Sequence, residues 1–297
     1  MAIDQAPVPA GTPEAPASPH ASRGRRRRRW RLLGSYTGLI IGALIVLFPL
    51  YIAVNDSLLT PSQILASPPP LFPTDPQWHN YVEAFSTYGF ASYLRNSFIQ
   101  SGLIVFGALT TSILAAYAFV FLKFPFRRTL FVLVLATAMI PFEVTVAANY
   151  DTVFKLHWQG NFAGLTIPFM ATGFGIFLLR QSFMGIPKEL REAALIDGYG
   201  PIGFLWRVAL PLARPVIAAL AVFSFLGAWN QYLWPDLLTS NNQSIRTVQI
   251  GLKVIGGTIA TVGVSLAAAV ITLIPLVILL VFFLKNLVRA LTAGAVK

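Results

Sequence analysis

Residues 192–215 read EAALIDGYGPIGFLWRVALPLARP, a polar stretch in a chain that is otherwise mostly apolar. Pro187 precedes Lys188-Glu189-Leu190-Arg191-Glu192-Ala193-Ala194, a run of good helix formers. Gly198 reaches positive φ without steric cost and is placed to stop that helix. Pro201 stands where a second helix can begin, over 202–210, and Pro211 is expected to end it. The stretch predicts helix, glycine turn, helix, set between two apolar runs and shaped for docking.

Composition says what surrounds it. The 297 residues are 56% hydrophobic and 11% charged, with a mean hydropathy of +0.68. A soluble domain carries about 25% charged residues, so much of this surface must face lipid. The net charge of +11 comes from Lys and Arg gathered at the ends of apolar runs. That is a membrane-orientation pattern; nucleic-acid binding would need basic residues interleaved with aromatics on one folded face. The chain has no cysteine, which excludes disulfides, thiol catalysis and thiolate-bound metals. His20, His79 and His157 are far apart and lack a carboxylate at ligand spacing, so no metal site is expected.

Outward from the docking stretch, six apolar runs predict an all-α polytopic membrane protein with six transmembrane helices. Residues 1–31 read as a disordered basic cytoplasmic tail, rich in Pro, Ala and Ser and ending in arginines at 23, 25–29 and 31. The first span covers 32–54, about 34 Å as a helix. Residues 55–95 form an extracytoplasmic segment, proline-rich over 61–76, with a short interfacial helix over 78–85. A core over 96–290 holds the other spans, at 96–121, 129–149, 162–179, 212–235 and 262–284, with the docking loop at 185–215. Residues 291–297 are a C-terminal cytoplasmic tail. With both termini inside, 18 of the 22 Lys and Arg fall on the cytoplasmic side, and only Arg95, Lys155, Arg246 and Lys253 fall outside. That asymmetry sets the topology.

Reactive chemistry is sparse. No glycine-rich loop ending in Gly-Lys-Ser or Gly-Lys-Thr occurs, so the chain is not expected to hydrolyse nucleotide. No Ser, His and acid set converges as a membrane hydrolase would need. Glu143, beside Pro141, is the one carboxylate inside an apolar run, either functional or simply solvated at a span end. Trp229-Asn230-Gln231-Tyr232-Leu233-Trp234-Pro235 reads equally as an interfacial aromatic belt or as a polar, aromatic lining for a sugar or polyol. Glu143, Asn149, Trp229, Asn230, Gln231 and Tyr232 are therefore the candidate substrate-pathway residues. A stand-alone secondary transporter would show midplane charge pairs and an internal repeat, and neither is visible.

The spacing Glu192-Ala193-Ala194, three residues, Gly198, nine residues, Val208, one residue, Leu210-Pro211 resembles the EAA signature of binding-protein-dependent ABC importer permeases. Val208 stands where that family has Ile, and Tyr199 replaces a common Ala. Asn80-Tyr81, Asn96-Ser97, Met139-Ile140-Pro141, Glu143-Val144-Thr145 and Leu291-Thr292-Ala293-Gly294 are similar to the maltose-type carbohydrate-uptake branch. Residues 229–235 and 249–257 look most like its glycerol-3-phosphate permeases. The resemblance implies a type I ABC importer permease fold in the bacterial inner membrane. Its implied partners are a second homologous permease, two ATPase subunits and an extracytoplasmic solute-binding protein, with membrane lipid around them and no nucleic acid. It implies no cofactor on this chain, with ATP and Mg on the ATPase subunits. Glu192, Ala193, Ala194, Asp197 and Gly198 are then the ATPase-coupling residues, and the tail 291–297 either reaches between the ATPase subunits or frays. Glycerol-3-phosphate or a glycerophosphodiester is the expected solute, with a sugar beside it, and Arg95 and Lys253 are outer-side candidates for its phosphate.

Overall fold

The computed structural model describes residues 20–240 and 242–292, with side chains over 34–240 and 242–283. Among them every regular element is helical. The chain divides into two compact units, residues 1–52 and 53–297. The first is built on α1 (His20–Ser57), which contains a candidate span at Gly34–Ser57. This helix starts earlier than the expected boundary at residue 32. Arginine is a good helix former, so the basic run continues the span's helix back to His20 instead of lying in a disordered tail. The rest of that expected tail, residues 1–19, lies outside the described residues.

In the second unit, α2 (Pro61–Ile64) opens the proline-rich segment with a capping box, in which Thr60 and Gln63 each accept the other's backbone N–H. The segment folds back on residues 55–57, the last turn of α1, which belong to this second unit. Asn55 donates to the Pro70 carbonyl at 2.9 Å, Asn80 donates to the Ser57 carbonyl at 2.8 Å, and the Ser57 and Tyr81 hydroxyls lie 2.7 Å apart. Helix α3 (His79–Ser86) is the short helix expected at 78–85.

Helix α4 (Phe90–Phe121) is the second candidate span. Its buried stripe runs Ser97, Ser101, Ile104, Ala108, Ser112, Ala116, a spacing of three and four that keeps one face inward. The span expected at 129–149 is broken at Pro141 into helices α5 (Arg127–Thr137) and α6 (Phe142–Lys155), which meet at 97°. Pro141 sits at φ −59°, ψ 140°, outside helical geometry, so the helix breaks before it and restarts after it. Helix α7 (Phe162–Thr166), extended by a 3₁₀ turn at Ile167–Phe169, meets α8 (Gly173–Met184) at 46°, so the region of the expected fourth span is bent.

Helix α9 (Lys188–Ile196) is followed by α10 (Pro201–Phe204), a π turn at Leu205–Ala209 and α11 (Leu210–Trp229). Pro211 was expected to end the second docking helix; instead 201–229 is one continuous span. In the π turn the Leu210 N–H reaches back five residues to the Leu205 carbonyl. The ladder has already slipped where Pro211 lacks its N–H, and the helix passes through. The span ends at Trp229, six residues before its expected limit. Helices α12 (Leu233–Leu238), α13 (Val248–Ile255) and α14 (Val262–Thr292) complete the chain; α14 carries the last span, Ile259–Phe283 beginning one turn ahead of it. Of the tail expected at 291–297, residues 293–297 lie outside the described residues. Among the described residues, four helices are long and apolar enough to cross a membrane, or six where each bent pair counts as one span.

Lipid tails are as apolar as Leu, so spans associate through close packing of small residues rather than through exclusion of water. Gly175 shows this at the α4–α8 contact: a Cβ there would lie 2.4 Å from Ser112 Oγ and 3.1 Å from Leu220. Gly175→Val should destabilise the protein by about 1–3 kcal/mol, the usual cost of overpacking. A lowered melting temperature in detergent checks this against Gly102→Ala, where an added Cβ meets nothing within 4 Å and no loss is expected.

Candidate functional site

Two features stand out in the second unit: the 188–211 segment and a cavity among the spans. Helix α9 ends in a Schellman motif. The Gly198 N–H donates to the Leu195 carbonyl at 3.1 Å, the Tyr199 N–H to the Ala194 carbonyl at 2.8 Å, and Gly198 has φ +80°. The glycine stop expected from sequence is present, and Asp197 is the C-cap residue.

The segment has two faces. Inward, Ala194 is buried in a cluster with Ala116, Tyr117, Leu179, Phe183, Phe204 and Leu205, from α4, α8, α10 and the π turn. Tyr117 Oη donates to the Pro201 carbonyl at 2.6 Å, and Arg191 donates to the Phe121 carbonyl at 3.3 Å. Outward, Glu192, Ala193 and Asp197 are exposed, and with them Leu195 and Ile196, the latter 87% exposed. Of the two alanines among the expected coupling residues, Ala193 faces out and Ala194 packs against the spans, because adjacent residues on a helix lie about 100° apart. The exposed apolar residues Leu195, Ile196, Ile202 and Trp206 carried no signal in sequence beyond their place beside the EAA residues.

A cavity of about 500 Å³ lies between α4, the α5–α6 break, the α7–α8 break and α11. The broken spans are what open it: Thr137, Ala138, Ile140 and Phe142 from one break and Pro168, Phe169 and Thr172 from the other line its wall. Backbone that leaves helical pairing at membrane depth is tolerated where it faces such a cavity. Its polar side chains are Thr137, Thr172, Ser224 and Gln231, and no Lys or Arg lines it.

Of the six pathway candidates, Gln231 alone lines this cavity, and its Oε1 accepts from Gln100 Nε2 at 2.7 Å. Glu143 is exposed in the first turn of α6, and Asn149 donates to Thr145 on its own helix at 3.3 Å. Trp229 is buried, stacked on Phe225 at 5.4 Å and edge-on to Phe98 at 4.9 Å. Asn230 and Tyr232 are exposed elsewhere. The 229–235 stretch is thus not one continuous lining: α11 ends inside it, and Trp234 turns away to donate to the Gly164 carbonyl at 3.0 Å. Gln100 was missed. Its signal was the buried run Asn96, Ser97, Gln100 and Ser101 at helical spacing in an otherwise apolar span. Lys253 is held by Asp236 at 2.8 Å, and this hydrogen bond, then one to Tyr232, raises its pKa. Its charge is committed to Asp236, and Arg95 is exposed on α4 outside the cavity wall.

A cavity among broken and continuous spans, with a short exposed helix-turn-helix fixed to their ends, defines a polytopic transport subunit. Residues 108–293 match the family of binding-protein-dependent transport system inner membrane components. The chain is 39% identical over 265 residues to the sn-glycerol-3-phosphate transport system permease protein UgpE of Yersinia pestis bv. Antiqua (strain Antiqua), covering 85% of this chain and 93% of that protein. It is 37% identical over 276 residues to UgpE of Escherichia coli O1:K1 / APEC, covering 89% and 97%. In fold it is similar to a chain of a bacterial ABC transporter involved in import of the acidic polysaccharide alginate, with a TM-score of 0.75 at 23% identity over 87% of this chain and 97% of that one. The chain belongs to the binding-protein-dependent inner-membrane permease family of ABC importers.

Gly198→Ala places a Cβ at φ +80° and should destabilise the 188–200 turn by about 1–3 kcal/mol. Gly198→Asn, which tolerates this region better, should lose less. Limited proteolysis at the turn is the measurement: faster cleavage is expected in Ala than in Asn, and Asn slightly faster than wild type.

Proposed function

We infer that this permease forms half of a translocation pathway and receives the force of ATP hydrolysis through residues 188–206. The observation that carries the reading is the division of α9 into a buried face and an exposed one. Ala194 is fixed among α4, α8 and α10, while Glu192, Asp197, Leu195 and Ile196 are left free for a partner. No carboxylate of the segment (Glu189, Glu192, Asp197) is in an ion pair among the described residues. Free carboxylates beside exposed apolar side chains suit a groove with a basic rim, and Ala193 lets the helix approach closely. The partners in this reading are a second homologous permease, two ATPase subunits that bind ATP and Mg, and an external solute-binding protein. Both termini and the 188–206 segment are cytoplasmic, as the Lys and Arg distribution favours.

For the solute, the first reading is glycerol-3-phosphate or a glycerophosphodiester, supported by the names of relatives with 37–39% identity. A neutral sugar or polyol is the second reading, because the cavity wall offers amide and hydroxyl groups and no cation. If the first holds, the phosphate meets its positive charge on the partner permease. Binding of glycerol-3-phosphate and of neutral oligosaccharides to the cognate external receptor separates the two.

Glu192→Lys and Gly198→Pro should each abolish solute-stimulated ATP hydrolysis in the reconstituted importer while the protein still inserts. Normal stimulation in both variants would remove the docking role from this segment.

A further inference from the structure

At the end of the spans where α4 gives way to α5, four cations line two adjoining cavities, and no carboxylate is among the described lining residues. Lys123 lies in the connection, Arg127 and Arg128 in the first turn of α5, and Arg180 on α8. None of the four is in an ion pair among the described residues. Arg127, Arg128 and Arg180 line a cavity of about 380 Å³ whose other walls are Phe119, Phe131 and Val132. Arg127 and Arg128 also line a neighbouring recess of about 460 Å³ with Lys123.

The geometry of Arg180 shows that this is more than a solvated basic end. Its guanidinium carbon lies 4.1 Å from the centre of the Phe131 ring, and its Nε is buried with no hydrogen-bond partner among the described residues. The contact with Phe131 fixes the guanidinium plane, and Arg180 as a whole is half-buried in the wall of the cavity, where its charge is offered to an acceptor. Arg127 already donates to the Leu122 carbonyl at 3.1 Å, which holds its guanidinium at the rim.

We propose that Arg127, Arg128 and Arg180 form a seat for the phosphodiester of an anionic phospholipid. Guanidinium groups pair with phosphate oxygens through two parallel N–H donors. The apolar wall is what separates a lipid from a free anion. Phe119, Phe131 and Val132 continue into Leu130 and Leu133, which are exposed on α5 within the bent span and give the acyl chains a path along it. The seat is separate from the central cavity. Phe119 and Ala108 are eleven residues apart on α4, about 16 Å of helix, and the two cavities share no lining residue. Basic pockets between spans on the cytoplasmic side are suited to anionic headgroups.

The test uses the assembled importer in nanodiscs of phosphatidylcholine with and without phosphatidylglycerol or cardiolipin, and native mass spectrometry of the retained lipid. Wild type should keep the anionic lipids in preference to phosphatidylcholine. Arg128→Gln and Arg180→Gln should each weaken that preference by about fivefold. Equal retention of charged and neutral lipid by wild type would overturn the proposal, and needs no variant that might misfold. Displacement of the lipid by millimolar inorganic phosphate would also overturn it, by making the site one for a free anion. So would loss of the ATPase subunit from the arginine variants with lipid retention unchanged, which would make these residues a protein contact.

Discussion

The rest of the structure depends on how a nine-residue helix is held to the ends of the spans. Isolated helices shorter than about 12–15 residues are marginal in water, so α9 owes its shape to what it packs against. Ala194 lies in one buried cluster with Tyr117 of α4, Phe183 of α8 and Phe204 of α10. The Tyr117 hydroxyl adds a bond to the Pro201 carbonyl, worth about 1 kcal/mol, and the Schellman turn at Gly198 sets the angle between α9 and α10. Because α10 runs through the π turn into α11 without a break, a push on α9 reaches a 29-residue span directly. The broken spans join this chain of contacts through α8, whose Leu179 and Phe183 share the cluster with Ala194. The α5–α6 and α7–α8 breaks wall the central cavity together with α11, so the helix that continues from the 188–206 segment also lines the cavity.

Much of this was legible in the sequence. The helix, its glycine stop and the second helix after Pro201 lie where residue types place them, because Gly at positive φ and Pro in a first turn act locally. The short helix at 79–86 was legible on other grounds, the Trp and Tyr of an interfacial segment. Pro211 misled, because a proline marks a missing N–H but not how the ladder upstream accommodates it. The path residues at 229–235 misled for a different reason. In a membrane protein the lipid-facing and buried faces are both apolar, so hydrophobic periodicity does not say which way a side chain points. Trp229 and Trp234, alike in sequence, are both buried but in different clusters, one with Phe90 and Val248, the other with Leu165 and Leu238. Within a span, buried polar residues were the better guide: Asn96 donates to the carbonyls of Ser244 and Arg246, Ser97 accepts from the Val248 N–H, and Gln100 reaches Gln231.

Charge divides the molecule in the same way. The central cavity has hydroxyl and amide groups and no cation among its described lining residues, and Lys253 is paired with Asp236. Among the described residues, cations without an ion pair sit beside span ends, as at Arg127, Arg128 and Arg180, while the exposed face of α9 displays carboxylates that are likewise unpaired. A solute, a lipid headgroup and a partner subunit would each meet a different kind of surface on one chain.

The central claim is that the exposed face of α9 contacts the ATPase subunit. The chain has no cysteine, so Ile196→Cys creates a single thiol on that face, and Val82→Cys provides a control on exposed α3. Cross-linking from each position in the assembled, ATP-hydrolysing importer is the most direct measurement. The account predicts a product joining Ile196→Cys to the ATPase subunit and none from Val82→Cys. An active assembly that gives no such product from Ile196→Cys, or gives it equally from Val82→Cys, would contradict it.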